Sequence, residues 1–453
     1  MAKHIVVLGG GLAAVVAAHT ALEAGARVTV CPGRAATLGE FHGRLDVFGP
    51  PALRRGPSLP TLTADAGAGV SGHTEPNVRM QDLLRLRPWH PYTRLDLGLD
   101  EIRRICAERL AAIDAPFDLG PAGIAPTDAG TAVVVDGLAR SAWRVDRPRP
   151  LVWLGLSTAD SYPALGSAQL FGHQIGLDAR DLTAIDLPWP DAKRPINPAA
   201  PLGLLDAGPD SAAGRAFTEA VVAAVGSPPD QAVILLPPIL GRSFEVAAAW
   251  CEHLTARLGH PVRERLPIEQ PTMALRLLSW IGTSLEVTGI TRLGGAVESA
   301  GWQGGERIAS LEVRVGGELH ALGPVDAVIL ATGRFLGGGL RTEPPLRERL
   351  FGAPVYLQGQ VLDTADTAPT ELLGLQVWDD HPVMTLGVGI DRQCHVLGGD
   401  GRPRLANLYA AGRLIGGTQP ALDGTAAGVD LVTAATAARA ATGADRNQRR
   451  SAP

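Results

Sequence analysis

Short apolar runs and glycine-rich turns alternate at the beginning of the chain. Residues 4–8 form an apolar run of strand type, and three consecutive glycines follow at residues 9–11. The alanine-rich stretch at residues 12–24 is typical of a helix that ends at Gly25, and a second apolar run covers residues 26–31. This order of strand, turn, helix and strand predicts the start of a parallel, doubly wound α/β sheet.

Further strand and helix patterns follow, separated by stretches rich in glycine and proline. Strand patterns occur at residues 133–138, 151–156, 231–236, 285–288, 308–315, 318–322, 325–330, 385–391 and 408–411. Helical patterns occur at residues 81–113, at 243–258 and in the alanine-rich end of 405–441. Gly316-Gly317 stands between two strand patterns and indicates a hairpin. Residues 32 to about 80 and 187–201 are expected to be loops or linkers.

These elements predict two α/β units. We expect a doubly wound, Rossmann-like domain formed by both ends of the chain, at residues 1–147 and 281–442. An inserted α/β domain is expected at residues 148–280, and the polar residues 443–453 are expected to form a flexible tail. The length of 453 residues agrees with this division, because it corresponds to roughly two to three domains of ordinary size.

Composition and charge exclude several classes of protein. Hydrophobic residues at 45% and charged residues at 19% are ordinary for a globular chain, and a net charge of −5 gives no reason to expect nucleic acid as a partner. Cys31, Cys106, Cys251 and Cys394 lack metal-binding spacing, which argues against zinc, iron–sulfur clusters and a disulfide framework. Because no signal peptide is recognisable and no apolar run reaches the ~18 residues of a membrane span, we expect a cytoplasmic protein without a direct membrane span.

The first glycine turn carries the main candidate for ligand binding. Residues 9–14 match the pattern G-x-G-x-x-[G/A] between a strand and a helix. Gly9 permits the tight turn, Gly11 lets a phosphate approach the backbone, and Ala14 allows close packing of helix on strand. The free N–H groups and positive dipole end of the helix also favour a phosphate. We therefore expect a nucleotide cofactor on Gly9, Gly10, Gly11, Leu12, Ala13 and Ala14.

The end of the second strand lacks the acid that normally holds an adenosine ribose. This strand ends in the sequence Val30-Cys31-Pro32-Gly33-Arg34, without Asp or Glu. The absence weakens the case for a dinucleotide such as FAD or NAD and suits a mononucleotide such as FMN. Arg34 is a candidate phosphate ligand, although a solvated loop arginine is an equally good interpretation.

Two later glycine turns predict the other half of a flavin site. A strand pattern runs into residues 331–333 (Ala-Thr-Gly), and another ends at residues 412–413 before a small-residue helix start at 423–428. Such a helix end, directed at the pyrimidine edge of an isoalloxazine ring, would stabilise the negative charge of reduced flavin. Gly424 and Gly428 are expected to let the ring approach, and Asp423 is equally well interpreted as an N-cap. The residues expected to contact the cofactor here are Thr332, Gly333, Gly412, Arg413, Gly424 and Thr425.

The chain resembles a known family over most of its length, the flavoprotein subunit designated B of the anaerobic glycerol-3-phosphate dehydrogenase. The similar segments are residues 5–14, 41–48, 90–92, 151–157, 331–340 and 411–417. The sequences ATGRFLGGGL at 331–340 and LDVFG at 45–49 are the most distinctive, because flavin folds in general do not require them.

The resemblance implies a flavin-dependent enzyme subunit that carries FMN, with FAD as the alternative. It implies two partners, a catalytic FAD subunit and a membrane-associated iron–sulfur subunit. The complex would oxidise sn-glycerol 3-phosphate to dihydroxyacetone phosphate and pass electrons toward quinone. The chain would then be cytoplasmic or held at the inner face of the cell membrane through a partner.

The sequence departs from the family pattern in three places. Ala14 replaces the third glycine of the fingerprint. Glu40, Phe41 and His42 stand where smaller polar residues are expected. Arg413 stands where many flavoproteins have an acid or a small residue. The change at residues 40–42 alters the loop at the active face. Arg413 stands where the group that contacts the ribityl chain or the phosphate is expected.

Oxidation of a secondary alcohol also needs a base for the hydroxyl proton, and histidine suits this role. The candidates are His42, His90 and His381, each in a loop close to a family-like segment. Gly43, beside the first of them, is expected to contact the cofactor. Candidate phosphate ligands, each equally interpretable as an ion-pair arginine, are Arg44, Arg334 and Arg413. A protein that only transfers electrons would need no base.

Two other hypotheses stay open at this point. One is a stand-alone FAD oxidoreductase of the fumarate-reductase or oxidase type. The other is a structural subunit that kept the fold and lost the flavin, which Ala14 and the missing acid after Val30 favour.

Overall fold

The computed structural model describes residues 2–33, 41–49, 75–156, 164–187, 199–268, 271–363, 365, 367–376 and 381–444. Within these ranges the strands form two parallel and three antiparallel sheets. The chain is therefore of the mixed α/β class that the sequence predicts.

The central sheet is parallel and is built from both ends of the chain. Its strands are β1 (His4–Leu8), β2 (Arg27–Cys31), β10 (Ile290–Arg292), β14 (Ala327–Leu330) and β18 (Leu408–Ala410). They lie side by side in the order β10-β2-β1-β14-β18. Numbered by their position in the sequence, this order is 3-2-1-4-5, the doubly wound arrangement of nucleotide-binding folds. The predicted Rossmann-like fold class is confirmed.

Helices α1 (Leu12–Glu23) and α11 (Ala426–Thr442) pack against each other beside this sheet. Most residues of both helices are buried, and alanine and valine predominate among them. Small side chains let two helix backbones approach closely, so these sequences suit a packed helix pair more than an amphipathic surface helix.

A second parallel sheet occupies the middle of the chain. Its strands are β6 (Leu151–Leu156), β7 (Leu182–Leu187), β8 (Val233–Leu236) and β9 (Val262–Glu264), in the order β7-β6-β8-β9. The intervening helices are α5 (Leu165–Gln174), α6 (Ala199–Leu205), α7 (Ala212–Val225) and α8 (Phe244–Leu258). The buried strand sequences, such as Val-Ile-Leu-Leu in β8, are typical of parallel sheets covered on both faces.

Three small antiparallel sheets and five further α-helices also belong to the described structure, with short 3-10 helices at Ala179–Asp181, Pro369–Leu372, Pro382–Thr385 and Gly412–Leu414. The first sheet contains β3 (Arg44–Leu45), β4 (Phe117–Pro126) and β5 (Ala132–Ala139). The second contains β11 (Ala296–Gln303), β12 (Arg307–Val315) and β13 (Glu318–Leu322), and the third contains β15 (Val355–Leu357), β16 (Gln360–Val361) and β17 (Gly387–Val388). The helices are α2 (Pro76–Leu86), α3 (Pro91–Leu95), α4 (Leu99–Ala112), α9 (Thr272–Ser284) and α10 (Pro420–Asp423).

The three largest hydrophobic cores follow the two parallel sheets. The largest core surrounds the central sheet and includes Met273, Leu277 and Trp280 of α9. Two smaller cores lie on the second sheet. Because α9 runs across residues 280 and 281 and packs in the central core, the predicted boundary there falls inside a helix. The division into domains at 148–280 stays a prediction.

The strand expected at residues 285–288 is wrong. Helix α9 runs to Ser284, Leu285 is its C-cap, and the strand β10 begins only at Ile290. The helix buries Met273, Leu277, Trp280 and Ile281 on one face, a helical spacing that is visible in the sequence. Strand β11 was not predicted, because its half-exposed, polar sequence lacks a hydrophobic period.

Several other expectations are modified. The hairpin at Gly316-Gly317 is confirmed, since β12 and β13 pair across it. The helical pattern at 81–113 is divided among α2, α3 and α4, because Pro91 begins a new helix after Arg87 ends the first. The strand expected at 385–391 shrinks to the two residues of β17. Most of the loops expected at 32–80 and 187–201, and residues 445–453 of the tail, lie outside the described residues.

Candidate functional site

The candidate site lies where the central strands end. Backbone hydrogen bonds join these ends: Gly9 N donates to Cys31 O over 2.9 Å, Ala331 N to Leu8 O over 2.7 Å, and Ala411 N to Leu330 O over 2.8 Å. The sheet order reverses between β1 and β14, and ligands of open α/β sheets bind in the crevice at such a reversal. The first glycine turn therefore stands at the expected crevice.

The three glycines of the first turn have different roles. A Cβ on Gly9 would lie 2.1 Å from Ala331 O, and one on Gly10 would lie 2.5 Å from Pro32 O, so both are needed for close packing. A Cβ on Gly11 would meet nothing within 4 Å. Gly11 therefore faces open space at the N-terminus of α1.

The N-terminus of α1 is suited to an anion. Its first turn carries no acidic residue, and no described side chain caps it. The buried residues Leu12, Ala13 and Ala14 pack the helix on the sheet, so they support the turn from inside. Free N–H groups at such a helix end attract a phosphate, and the phosphate half of a flavin fits these residues.

The end of β14 adds a polar group without a partner in the described structure. The Oγ1 atom of Thr332 is buried and makes no hydrogen bond to any described atom. Gly333 adopts a φ of +69°, which glycine tolerates best, and turns the chain sharply after the strand. A hydroxyl of this kind is suited to a ligand that supplies the missing hydrogen bond.

Arg334 is committed to the protein itself. Its Nη1 donates to Thr418 O over 2.8 Å and to Met384 O, and its Nη2 donates to Ile415 O and to Thr418 Oγ1, each over 2.7 Å. Burial, with the nearby charge of Arg413, lowers the pKa of Arg334 to about 9. Arg334 therefore holds neighbouring loops together, and the interpretation of its Nη groups as phosphate ligands is not supported.

Gly412 brings a carboxylate of α11 to the end of β18. Gly412 adopts a φ of +67°, and a Cβ there would lie 2.6 Å from Asp430 Oδ1 and 2.8 Å from the Cβ of Ala13. The Asp430 carboxylate accepts a hydrogen bond from the backbone of Arg413. Burial raises the pKa of Asp430 to about 6, and the charge of Arg413 opposes this shift. Sequence reasoning missed Asp430, since nothing local marks one acid in an alanine-rich helix.

We expect Asp430→Asn to stabilise the flavin-free protein increasingly between pH 4 and pH 7. An aspartate in the unfolded chain ionises near pH ~3.9, whereas burial raises the pKa of Asp430 in the fold to about 6. Between these values the native state holds the proton more tightly, so wild-type stability falls as the pH rises. The variant lacks this loss, so its advantage should grow by roughly 1 kcal/mol or more. Urea denaturation at pH 4, 5, 6 and 7 measures it, and a pH-independent difference would contradict the shift.

The N-terminus of α11 is occupied by another part of the chain. Gly428 N donates to Asp46 O over 3.0 Å, and Gly49 N donates to Gly424 O over 3.1 Å. A Cβ on Gly428 would lie 2.0 Å from the Tyr92 hydroxyl. Gly428 is therefore required for packing on Tyr92, and the expectation that it makes room for a flavin ring is wrong.

Asp423 is not the N-cap residue of α11. Thr425 is the N-cap residue of that helix. Asp423 ends the preceding helix α10, where its Oδ2 accepts from Gln419 N over 2.5 Å and its Oδ1 lies 3.4 Å from Arg87 Nε. The carboxylate therefore fixes the approach to α11 rather than its first turn.

A buried ion pair holds the segment 46–49 against α11. Asp136 of β5 accepts from Val47 N over 2.8 Å and from Phe48 N over 3.0 Å. Arg79 of α2 donates to the same carboxylate over 2.7 Å and also bonds Gly49 O. Both side chains are at most 3% exposed. Sequence reasoning missed this pair, although a lone acid in an apolar strand pattern is a signal that could have found it.

Asp46 completes this charged cluster beside α11. Burial raises the pKa of Asp46, and Arg44, whose Nη2 lies 3.3 Å from its Oδ2, opposes the shift. Arg44 therefore forms an ion pair with a carboxylate, which was one of the two roles that the sequence allowed for it.

The three candidate histidines lie in different surroundings. His90 is fully buried; its Nε2 lies 3.0 Å from Thr425 Oγ1, and its Nδ1 accepts from Tyr92 N over 3.2 Å. His381 is half-buried and its Nδ1 accepts from Gly374 N over 2.9 Å. His42 is half-buried beside Gly43, where a Cβ would lie 2.9 Å from Met273 Cγ. Their catalytic role stays a prediction, as does cofactor contact by Gly43, and Arg34 lies outside the described residues.

We expect His90 to remain neutral from pH 5 to pH 8. Burial, with the nearby charge of Arg87, lowers its pKa to about 3, and its Nδ1 must stay unprotonated to accept from Tyr92 N. NMR of protein with 15N-labelled histidine, with His90→Gln to assign the signal, measures this directly. A ring titration with a midpoint between pH 6 and 7 would overturn the assignment. If His90 is neutral throughout this range, any ionisation near neutral pH in the enzyme's kinetics should persist in His90→Gln.

The described part of the chain offers neither a metal cluster nor a membrane-spanning helix. No group of three or more His, Cys, Asp or Glu residues there could hold a metal ion. None of the helices described is long and apolar enough to cross a membrane. None of the four cysteines forms a disulfide, all four are buried, and burial raises the pKa of Cys31 to about 11.

Comparison with known proteins adds to this geometry. The model of a family described as FAD binding domain matches residues 302–429, which include Thr332, Gly333 and Gly412. Two relatives are named as the subunit designated B of the anaerobic glycerol-3-phosphate dehydrogenase, the first with the word probable. The one from Halobacterium salinarum is 26% identical over 459 residues, covering 97% of this chain and 97% of that protein. The one from Pectobacterium carotovorum is 24% identical, covering 96% and 97%. The chain resembles this subunit of the dehydrogenase.

Solved structures include more distant likenesses. The 3-ketosteroid delta1-dehydrogenase of Sterolibacterium denitrificans has a TM-score of 0.40 at 11% identity, with 97% of this chain and 99% of that chain covered. The quinol fumarate reductase of E. coli has a TM-score of 0.40 at 11% identity, with 100% and 72% covered.

The family match and the curated relatives support one class for this protein. Together they support a flavin-dependent dehydrogenase of the oxidoreductase class. The first glycine turn lies at the sheet reversal, and the matched region contains the later turns.

Proposed function

We propose that this chain is the flavin-carrying subunit of an anaerobic glycerol-3-phosphate dehydrogenase complex. The complex oxidises sn-glycerol 3-phosphate to dihydroxyacetone phosphate and passes electrons toward quinone. The observation that carries the proposal is the likeness, over 97% of the chain, to proteins named as one particular subunit of this dehydrogenase. The open Gly11 turn at the sheet reversal supports the binding of a phosphate-bearing flavin.

The proposed residues for the flavin phosphate are those around the first turn. The N-terminus of α1 and the open face of Gly11 would bind it, and the unpartnered Thr332 hydroxyl would donate to it. When bound, the flavin supplies the acceptor for the hydride of a secondary alcohol or for electrons from a partner. The remaining cofactor contacts, at Gly333, Gly412, Arg413, Gly424 and Thr425, belong to the same proposal.

Two forms of flavin are supported by different observations. The description of the matched family favours FAD, which we take as the leading form. The sequence at the end of β2, which has Cys31 and no acid, favours FMN, because FMN has no adenosine ribose to hold. The nucleotide released from the protein decides between them.

The proton acceptor is proposed among His42, His90 and His381. His90 is held neutral by burial and contacts Thr425 at the start of α11. A neutral imidazole can accept a proton only through a free ring nitrogen, and both nitrogens of His90 have partners. His90 is therefore poorly suited to act as the base if the substrate reacts on this subunit. A protein that only transfers electrons requires none.

The proposed partners are a catalytic FAD subunit and a membrane-associated iron–sulfur subunit. The word subunit in the names of the curated relatives supports a multi-subunit complex. We propose a cytoplasmic location, or one at the inner face of the cell membrane through the iron–sulfur partner.

A flavin-free structural subunit is the second candidate. One observation favours it: the segment 46–49 bonds to Gly424 and Gly428, at the helix end expected to face the flavin ring. A flavin could bind there only if its ring lies elsewhere or this segment moves.

Purification of the full chain tests both candidates. We expect a yellow protein with oxidised-flavin absorption bands, and chromatography of the flavin released by heat identifies FAD or FMN. A colourless protein that takes up neither flavin would support the structural subunit. Anaerobic addition of glycerol 3-phosphate, alone and with the partner subunits, follows next. Reduction only with the partners supports the electron-transfer role, and no reduction in either case would contradict the proposed substrate.

A further inference from the structure

An acid inside helix α11 stands out from its neighbours. Asp430 is half-buried, whereas residues 427–429 before it and 431–435 after it are buried. This residue thus keeps some accessible surface in a part of the helix that is otherwise enclosed. An acid whose ionised form is disfavoured by burial is a frequent mark of a ligand-binding position.

The surroundings of Asp430 place it beside the phosphate-binding turn. A Cβ on Gly412 would lie 2.6 Å from Asp430 Oδ1 and 2.8 Å from the Cβ of Ala13, so Gly412 joins the carboxylate to the first turn of α1. On the other side, the charge of Asp430 acts on Tyr92, which packs at the start of α11. Asp430 therefore lies close to Gly412, which packs on the first turn of α1, and near enough to Tyr92 for its charge to act there.

The hydrogen-bonding partners of Asp430 leave acceptor capacity. The backbone N–H of Arg413 donates one hydrogen bond to it. The Tyr92 hydroxyl donates to Val47 O over 2.9 Å and so is already committed. An ionised carboxylate has about four acceptor sites and no donor. Its natural ligand is a group that donates, such as a hydroxyl, and a phosphate oxygen is repelled.

We propose that Asp430 accepts hydrogen bonds from the hydroxyl groups of the flavin ribityl chain. This inference rests on the proposed flavin binding. The ribityl chain is the part of a flavin next to the phosphate, and it carries only hydroxyl groups. With the phosphate at Gly11, a chain running past Gly412 meets the Asp430 carboxylate. The arrangement also gives Arg413 a role, since its backbone and charge orient and stabilise that carboxylate.

Affinities for a graded set of flavins test the assignment. FMN, riboflavin and lumiflavin share the ring, but lumiflavin lacks the ribityl chain and riboflavin lacks the phosphate. Each is titrated into flavin-free wild type and into Asp430→Asn at pH 7.5, by calorimetry or flavin fluorescence. We expect the variant to lose about ten- to a hundredfold in affinity for FMN and riboflavin, the ordinary range for a hydrogen bond to a charged group. The affinity for lumiflavin should not change.

Two further variants keep the result interpretable. Asp391→Asn is the matched control, because Asp391 is also half-buried and accepts backbone hydrogen bonds from Gln393 and His395 in another loop. It should leave all three affinities unchanged. Asp430→Ser, which keeps a smaller acceptor, should give a loss in the same direction, and circular dichroism confirms that each variant is folded.

The outcomes separate the inference from the proposed function. Equal losses for lumiflavin and riboflavin, or no loss for either, would overturn the role of Asp430 while flavin binding stands. Tighter FMN binding by the variant would also overturn it and identify Asp430 as a group that repels the phosphate. A wild type that binds neither FAD nor any of the three flavins contradicts the proposed function itself.

Discussion

The Gly11→Val substitution is expected to lower the affinity for flavin by about 100-fold or more while leaving the protein folded. A Cβ at position 11 meets no protein atom within 4 Å, so the valine side chain would extend into the space proposed for the phosphate. Gly11 has a φ of −107°, an extended conformation that valine adopts readily. The loss therefore reports on the ligand and not on backbone strain. Equilibrium titration with FAD and FMN measures it.

The chain contains a matched control for this substitution. Gly98 is the N-cap of α4, has a φ of −82°, and a Cβ there also meets nothing within 4 Å. Gly98→Val and Gly11→Val should therefore cost similar stability, roughly 1 kcal/mol for a poor N-cap residue. Only the Gly11 variant should lose flavin. Unchanged flavin affinity in a folded Gly11→Val protein would show that the phosphate does not bind at the first turn.

The Arg276→Met substitution is expected to reduce the free energy of unfolding by about 3–5 kcal/mol. Arg276 and Glu264 are both 0% exposed and are joined by hydrogen bonds of 2.6 and 2.9 Å. Arg276 Nε also donates to Gly241 O over 3.0 Å. Removing the guanidinium leaves the Glu264 carboxylate buried without its counter-charge, and this desolvated charge causes most of the loss. Urea denaturation followed by circular dichroism measures the change.

Two comparisons distinguish the buried pair from ion pairs in general. Arg257 and Glu219 form an exposed pair at 2.8 Å, with 47% and 66% of their side chains exposed. Arg257→Met should cost less than about 1 kcal/mol, because water screens this pair. The double variant Arg276→Met with Glu264→Gln should regain part of the stability, because no unpaired charge remains. If the double variant is less stable than Arg276→Met alone, the unpaired-charge explanation is wrong.

Part of the site could be predicted because its determinants are consecutive in the sequence. Residues 4–31 contain the first strand, the glycine turn, helix α1 and the second strand, and the structure has them as β1, α1 and β2. Hydrophobic residues recur about every two residues in a strand and about every 3.6 residues in a helix. The pattern therefore identifies such a unit without knowledge of the elements that it contacts. The later turns after β14 and β18 were visible for the same reason, since each follows an apolar strand.

The residues that sequence reasoning misplaced depend on distant partners. Gly428 was expected to face a flavin ring, but it packs on Tyr92, and its N–H is taken by Asp46. Arg334 was a candidate phosphate ligand, with an ion-pair role as the equal alternative, but it bonds to carbonyls of residues 384, 415 and 418. No local pattern reports contacts between segments so far apart, because they arise only when the sheet order brings the strand ends together.

The sequence by itself determined the fold class, the strand–turn–helix at the start of the chain and the use of both ends in one sheet. These follow from hydrophobic periodicity and from glycines whose conformation is locally constrained. Only the tertiary structure decided which glycine faces open space, that Asp136 and Arg79 hold the segment 46–49, and that Asp430 reaches the turn at Gly412. Burial and charge act over a few ångströms in space regardless of separation along the chain, so the chemistry of the site depends on folding.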